Sequence, residues 1–141
     1  MTTLHWFRQD LRLRDNPALH YAAEKGDVIP VYIMDETCPE HAKLGGASKW
    51  WLHHSLNSLN QSLNRKLHVQ SGDVLAILTE WVSQHNIKTV VWNRCYEPWQ
   101  IKRDTLIKQT LSAMGIEVKS FNGYLLWEPW QVLKKDNTPY R

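Results

Sequence analysis

Short continuous apolar runs alternate along the chain with stretches in which apolar residues recur every three or four positions. The runs predict strands at residues 4–7, 28–34, 66–70, 89–93 and 117–121. The spaced stretches predict a helix after each of the first four strands. Asn16 and Asp73 stand where an N-cap is expected, and Pro17 and Pro98 where a first helical residue is expected.

Strands that alternate with helices require a parallel sheet with right-handed crossovers and helices on both faces. We therefore expect an α/β fold of the doubly wound Rossmann or flavodoxin type, with five strands in the order 3-2-1-4-5. Pro30 is expected near the start of the second strand, where a missing ladder hydrogen bond costs least. The fifth strand is the least apolar and is expected at an edge.

In this topology the strand order reverses between strands 1 and 4, so a ligand crevice is expected at their carboxyl ends. Arg8 and Asp10 follow the first strand. Hydrogen-bonding groups and flat aromatic surface follow the fourth, and they suit a planar heterocycle better than a phosphate. These side chains are Asn93, Tyr96, Glu97, Trp99 and Gln100.

Structural alternatives remain open for both loops. The charged side chains of the first loop are as well suited to pairing with each other, which would only hold the loop: Arg8, Asp10, Arg12 and Asp15. In the second loop, Glu97 and Pro98 are also the residues expected to begin a helix, with Trp99 packed against the fold.

The sequence gives little support for a phosphate-binding, metal-binding or nucleophilic catalytic site. Residues 45–48 (GGAS) precede a helix and could offer amides to an anion, but no Lys-Ser/Thr pair follows, so a simple turn is favoured. The seven histidines include no metal-binding spacing. No nucleophile–base set is visible. The residues alone therefore predict a binding module.

Composition narrows the class of protein. Eight tryptophans in 141 residues exclude a disordered chain, and a net charge of +3 is too small to indicate nucleic-acid binding. Cys38 and Cys95 prescribe no disulfide framework. Neither a signal peptide nor a membrane span is expected, so a cytoplasmic location is the default expectation.

After residue 123 the chain is apolar and aromatic without another β-α unit. We expect this tail to be partly exposed, to allow self-association, and to continue into a longer protein.

Four segments together resemble the DNA photolyase/cryptochrome family. Residues 6–19 (WFRQDLRLRDNPAL) are similar to its opening signature, and residues 50–56 (WWLHHSL) to its first long helix. Residues 93–98 (NRCYEP), followed by Arg103-Asp104, match its strand-4 motif. Residues 137–141 (NTPYR) look like its linker before a larger helical domain. The resemblance therefore divides the chain into an α/β domain at 1–122 and the start of that linker at 123–141.

The resemblance implies an antenna chromophore in this domain, either methenyltetrahydrofolate or a deazaflavin. It also implies FAD, the catalytic residues and the damaged DNA in the helical domain that follows. Folate partners would begin at Trp99 and Gln100, while Gln9 and Cys95 stand where a deazaflavin site has a basic and an acidic residue. The cofactor-binding residues expected from crevice and resemblance together are Arg8, Asp10, Asn93, Cys95, Tyr96, Glu97, Trp99, Gln100 and Arg103.

The expected function is the light-harvesting domain of a deoxyribodipyrimidine photolyase, which alone would neither repair DNA nor hold its chromophore tightly. A cryptochrome-type blue-light sensor is the alternative within the family. Two alternatives lie outside this family: a nucleotide-binding α/β module, and an interaction domain that uses the aromatic tail.

Overall fold

Four helices and five strands alternate in a computed structural model that describes residues 2–8, 11, 13, 16–40 and 45–122. The elements are β1 (Thr2–Phe7), α1 (Pro17–Lys25), β2 (Asp27–Asp35), α2 (Gly46–Ser62), β3 (His68–Gly72), α3 (Val74–Gln84), β4 (Thr89–Asn93), α4 (Pro98–Ala113) and β5 (Glu117–Phe121). Asp10 and the predicted aromatic tail, with its boundary at residue 123, lie outside the described residues.

The sheet is parallel throughout and has the order β3-β2-β1-β4-β5. This confirms the predicted topology. β1 lies at the centre and pairs with both β2 and β4. β5 lies at an edge, as its polar sequence predicts.

Apolar side chains alternate between the two faces of the sheet, as the period of a strand requires. Leu4 and Trp6 of β1 join a core with residues of α3 and α4. Phe7, on the opposite face, packs with Leu59 of α2, while Val91 of β4 packs with residues of α1. The helices therefore cover both faces in pairs, which defines a doubly wound sheet.

The helix starts follow the predicted capping residues. The Asn16 side chain accepts a hydrogen bond from the backbone N–H of Leu19, and Asp73 accepts one from that of Leu75. Such caps satisfy amides that have no partner inside the helix. Pro17 and Pro98 are the first residues of α1 and α4.

Several strand bounds differ from the prediction: β1 begins at Thr2, β2 spans Asp27–Asp35, and β3 ends at Gly72. β3 begins at His68 rather than at residue 66, since the backbone N–H of Leu67 bonds to the side chain of Asn60. Pro30 is the fourth residue of β2 rather than close to its start. It is tolerated there because the pairing of β2 with β3 begins only at Val31. Within the described ranges, no helix is both long and apolar enough to cross a membrane.

Candidate functional site

A cavity of about 680 Å³ opens at the carboxyl ends of β1 and β2. Trp6 and Arg8 line it from β1 and the residue that follows, and Trp99, Gln100 and Arg103 from the first turns of α4. Its remaining walls come from the end of β2 and the loop after it (Asp35, Cys38) and from the start of α2 (Ser48, Lys49, Leu52). The volume falls within the range of small-molecule sites, roughly 300–1,000 Å³.

Four charged side chains form a continuous network, of which Arg8, Asp35 and Arg103 line the cavity and the fourth, Asp104, lies behind them on α4. Arg103 donates from Nη1 to Asp35 Oδ2 (3.0 Å) and from Nε to Asp104 Oδ1 (3.1 Å). Arg8 Nη2 lies 2.6 Å from Asp104 Oδ2. Asp104 therefore bridges the two arginines, and the two positive and two negative charges balance.

The same arginines contact the indole rings of the site. The guanidinium carbon of Arg8 lies 4.5 Å from the ring centroid of Trp6. That of Arg103 lies 5.0 Å from the Trp6 centroid and 4.9 Å from the Trp99 centroid. These distances are within the range of cation–π attraction. Arg103 thus holds two aromatic side chains in place from a single position.

Glu97 orients Trp99 from the start of α4. Its Oε2 accepts a hydrogen bond from the indole Nε1–H of Trp99 (2.7 Å). Its backbone N–H donates to Gln100 Oε1 (3.3 Å), which completes a capping box at the start of α4. The structural alternative thus holds for Glu97 and Pro98, which do begin the helix. Trp99, in contrast, is half-buried and lines the cavity.

Two titratable groups in the cavity have shifted pKa values. Burial alone would raise the pKa of Asp35, but hydrogen bonds from Thr37 and Arg103 outweigh it and lower the pKa below its ordinary value of 3.8. Burial raises the pKa of Tyr32 above its ordinary value of 10.0. At neutral pH, Asp35 is therefore an anion that holds Arg103, and Tyr32 is a neutral phenol.

The predicted cofactor-binding residues separate into three groups. Arg8, Trp99, Gln100 and Arg103 line the large cavity, and Glu97 lies beside it on Trp99. Cys95 and Tyr96 line a second cavity of about 300 Å³. The third group is Asn93, whose buried side chain contacts α1.

Sequence reasoning placed the crevice between strands 1 and 4. The larger cavity extends instead over the end of β2 and the start of α2, which adds Asp35, Cys38 and Lys49. A signal for Asp35 was present, because it ends a strand next to β1 in the predicted order. Arg8 also forms an ion pair with Asp104 on α4, which the sequence did not predict. The alternative that the charges of the first loop pair with each other falls on Asp10, Arg12 and Asp15, which lie outside the described residues.

A family model described as DNA photolyase matches residues 3–141. The chain belongs to the DNA photolyase family. It corresponds to the N-terminal α/β domain of that family, as its motifs predicted. The deoxyribodipyrimidine photo-lyase of Agrobacterium fabrum is 47% identical over 140 residues, which cover 96% of this chain and 29% of that protein.

Solved structures agree with this assignment to the photolyase family. The crystal structure of a bacterial class III photolyase from Agrobacterium tumefaciens has a TM-score of 0.91 and 46% identity, covering 99% of this chain and 29% of that one. An archaeal photolyase from Sulfolobus tokodaii, described as containing two FAD molecules and implying a novel light-harvesting cofactor, has a TM-score of 0.80 and 31% identity. That match covers 92% of this chain and 31% of that one. The chain thus spans under a third of the length of these photolyases.

Proposed function

We propose that this domain binds a light-absorbing antenna chromophore in the cavity over β1, β2 and α4. The observation that carries the proposal is Trp99, whose ring lines a cavity of suitable volume and is held by Glu97 and Arg103. An oriented indole provides a flat surface on which a planar heterocycle can stack. Gln100 lines the same wall and adds an amide that can hydrogen-bond to a ring edge.

The chromophore we favour is methenyltetrahydrofolate, because Trp99 and Gln100 occupy the positions at which the folate contacts begin in folate-binding members of the family. A deazaflavin is the second candidate. FAD is a third, since the archaeal relative is described as holding two FAD molecules and implying a light-harvesting cofactor.

The charge network disfavours the alternative of an adenine-nucleotide module. Arg8 and Arg103, the two arginines of the wall, are engaged by Asp104 and Asp35. A triphosphate would have to compete with these carboxylates for the guanidinium groups. Lys49, in the first turn of α2, is a third cation of the cavity wall, but the chain lacks a glycine-rich loop followed by the Lys-Ser/Thr pair with which phosphate-binding loops hold a triphosphate.

In the full-length protein, we propose that this antenna domain serves light-driven repair of pyrimidine dimers. FAD and the damaged DNA would then be bound by a following helical domain. Repair needs a reduced flavin close to a pyrimidine dimer that is flipped out of the DNA helix, and this domain would absorb light and pass on the excitation energy without taking part in the chemical step. The alternative for the full-length protein is a blue-light sensor of the cryptochrome type.

The antenna proposal is tested by titrating the 141-residue chain with methenyltetrahydrofolate, a deazaflavin, FAD and ATP while recording tryptophan fluorescence and chromophore absorption. We expect at least one chromophore to bind more tightly than ATP, at micromolar or weaker affinity because one face of the ligand stays in water. Tighter binding of ATP than of every chromophore would favour the nucleotide-binding alternative.

The repair proposal needs a separate assay. The 141-residue chain is illuminated with an oligonucleotide that contains a pyrimidine dimer, and the full-length gene product is assayed beside it. We expect dimer reversal by the full-length protein alone. Reversal by the short chain would contradict the proposed division of labour, and failure of the full-length protein to repair would favour the light-sensor alternative.

A further inference from the structure

Asp35, at the end of β2, was not among the cofactor-binding residues predicted from the sequence, but it lines the cavity and binds Arg103. Its Oδ1 accepts hydrogen bonds from the backbone N–H and the hydroxyl of Thr37, at 2.9 and 2.6 Å. Its Oδ2 accepts from Arg103 Nη1 at 3.0 Å. The carboxylate is therefore fixed by its own turn, while its second oxygen fixes a side chain of α4.

Arg103 is consequently held at two points of its guanidinium. Asp35 accepts a hydrogen bond from Nη1, and Asp104 accepts one from Nε. Among the described residues, Nη2 of Arg103 has no hydrogen-bond acceptor, although it carries two N–H donors. The side chain keeps 17% of its surface exposed and lines the cavity.

We infer that Asp35 is a positioning residue for the chromophore, and that it acts by fixing Arg103 so that Nη2 donates to the acceptor edge of a ring stacked on Trp99. The inference rests on the proposed antenna function. It specifies the ligand class as a planar heterocycle with a carbonyl oxygen or ring nitrogen at that edge, as in a pyrimidinone ring. Arginine recognises the same kind of oxygen and nitrogen edge on guanine.

Fixing the guanidinium in advance matters for affinity. An arginine side chain that is free to rotate loses conformational entropy when it binds, whereas one held by two carboxylates has lost it on folding. The cation–π contacts with Trp6 and Trp99 add to this restraint. Lysine could supply the charge but not the planar donor group that reaches Asp35, Asp104 and a ligand at once.

The test is Asp35→Asn, with methenyltetrahydrofolate and FAD as probes. The substitution keeps the shape and the acceptor that faces Thr37 but removes the anion that holds Arg103. We expect the Kd of the probe that binds the wild-type chain to rise about tenfold. The absorption maximum of the bound chromophore should also move, because the positive charge beside its ring is no longer fixed.

A double-mutant cycle separates this role from a structural one. If Asp35 acts through Arg103, the Asp35→Asn/Arg103→Lys double variant should bind no more weakly than Arg103→Lys alone. Thr37→Ala removes one support of the carboxylate and should weaken binding by a smaller factor, about twofold. It provides a measurement even if Asp35→Asn folds poorly. Circular dichroism verifies the fold of each variant.

Glu117→Gln is the matched control, because Glu117 also pairs with a cation, Lys25, and with a hydroxyl, that of Tyr21. It lies at the amino end of β5, away from the cavity, and should leave Kd and the absorption maximum unchanged. An unchanged Kd and absorption maximum in Asp35→Asn, or additive losses in the cycle, overturn the inference and leave the antenna function standing. Failure of the wild-type chain to bind any chromophore overturns both.

Discussion

Asn93, at the end of β4, donates from Nδ2 to Asn16 Oδ1 over 2.6 Å, although the two residues are 77 positions apart in the chain. Asn93 Oδ1 in turn accepts from the backbone N–H of Ala18 (3.2 Å). Asn16 Oδ1 also accepts from the backbone N–H of Leu19 (3.1 Å). Two side-chain amides, one local and one from a neighbouring strand, thus cap α1 together.

Asn93→Ala should therefore destabilise the domain by about 2 kcal/mol, because it removes the acceptor of the buried Ala18 N–H and the hydrogen bond to Asn16. Denaturant unfolding followed by circular dichroism measures the change. Asn57→Ala, at an exposed position of α2, should change the unfolding free energy by less than about 0.5 kcal/mol. Equal effects of the two substitutions would mean that the link between β4 and α1 contributes nothing.

Trp99→Ala should weaken chromophore binding about tenfold, because the stacking surface is lost. Trp99→Phe keeps a flat ring but loses the hydrogen bond to Glu97, so a smaller loss is expected. Trp50→Ala is the matched control, since this indole on α2 is 56% exposed and does not line the cavity. Fluorescence titration with methenyltetrahydrofolate compares the three, and equal affinities would contradict a site built on Trp99.

The lowered pKa of Asp35 predicts a specific pH dependence. A carboxyl group whose pKa is lower in the folded state stabilises the fold above its unfolded pKa, and this contribution is lost as the pH falls through the folded value. The difference in unfolding free energy between wild type and Asp35→Asn should therefore be constant at neutral pH and shrink below about pH 4. Urea unfolding between pH 7 and pH 2.5 measures it. A difference that stays constant over the whole range would contradict the lowered pKa.

Cys38 provides a chemical probe of the cavity, which it lines from a half-buried position. A chromophore in the cavity should slow its reaction with a thiol reagent, roughly tenfold at a ligand concentration ten times Kd. The chain has two cysteines, so the Cys95→Ala variant leaves Cys38 as the thiol that reacts. Cys95 is only 4% exposed and should react slowly in the wild type. Unprotected Cys38 at saturating chromophore would place the ligand elsewhere.

Local sequence patterns were sufficient for the elements and for their order in the sheet. The capping residues Asn16 and Asp73 and the prolines at positions 17 and 98 determine where three helices begin, because their effects act within one turn. The alternation of strands and helices leaves few topologies once crossovers must be right-handed. The family was likewise readable from motifs, and the match over residues 3–141 confirms it.

The tertiary structure alone decided how these elements form a cavity. Arg103 was expected in the site, but its hydrogen bond to Asp35 joins residues 68 positions apart, and the cavity that both residues line extends over the end of β2. Asn93 follows the same strand-4 pattern as the other expected residues, yet its side chain is buried against α1. A sequence pattern determines which side chains reach the carboxyl edge of the sheet, because strands and helices are local. The partner that each side chain finds there depends on distances between elements that no local pattern encodes.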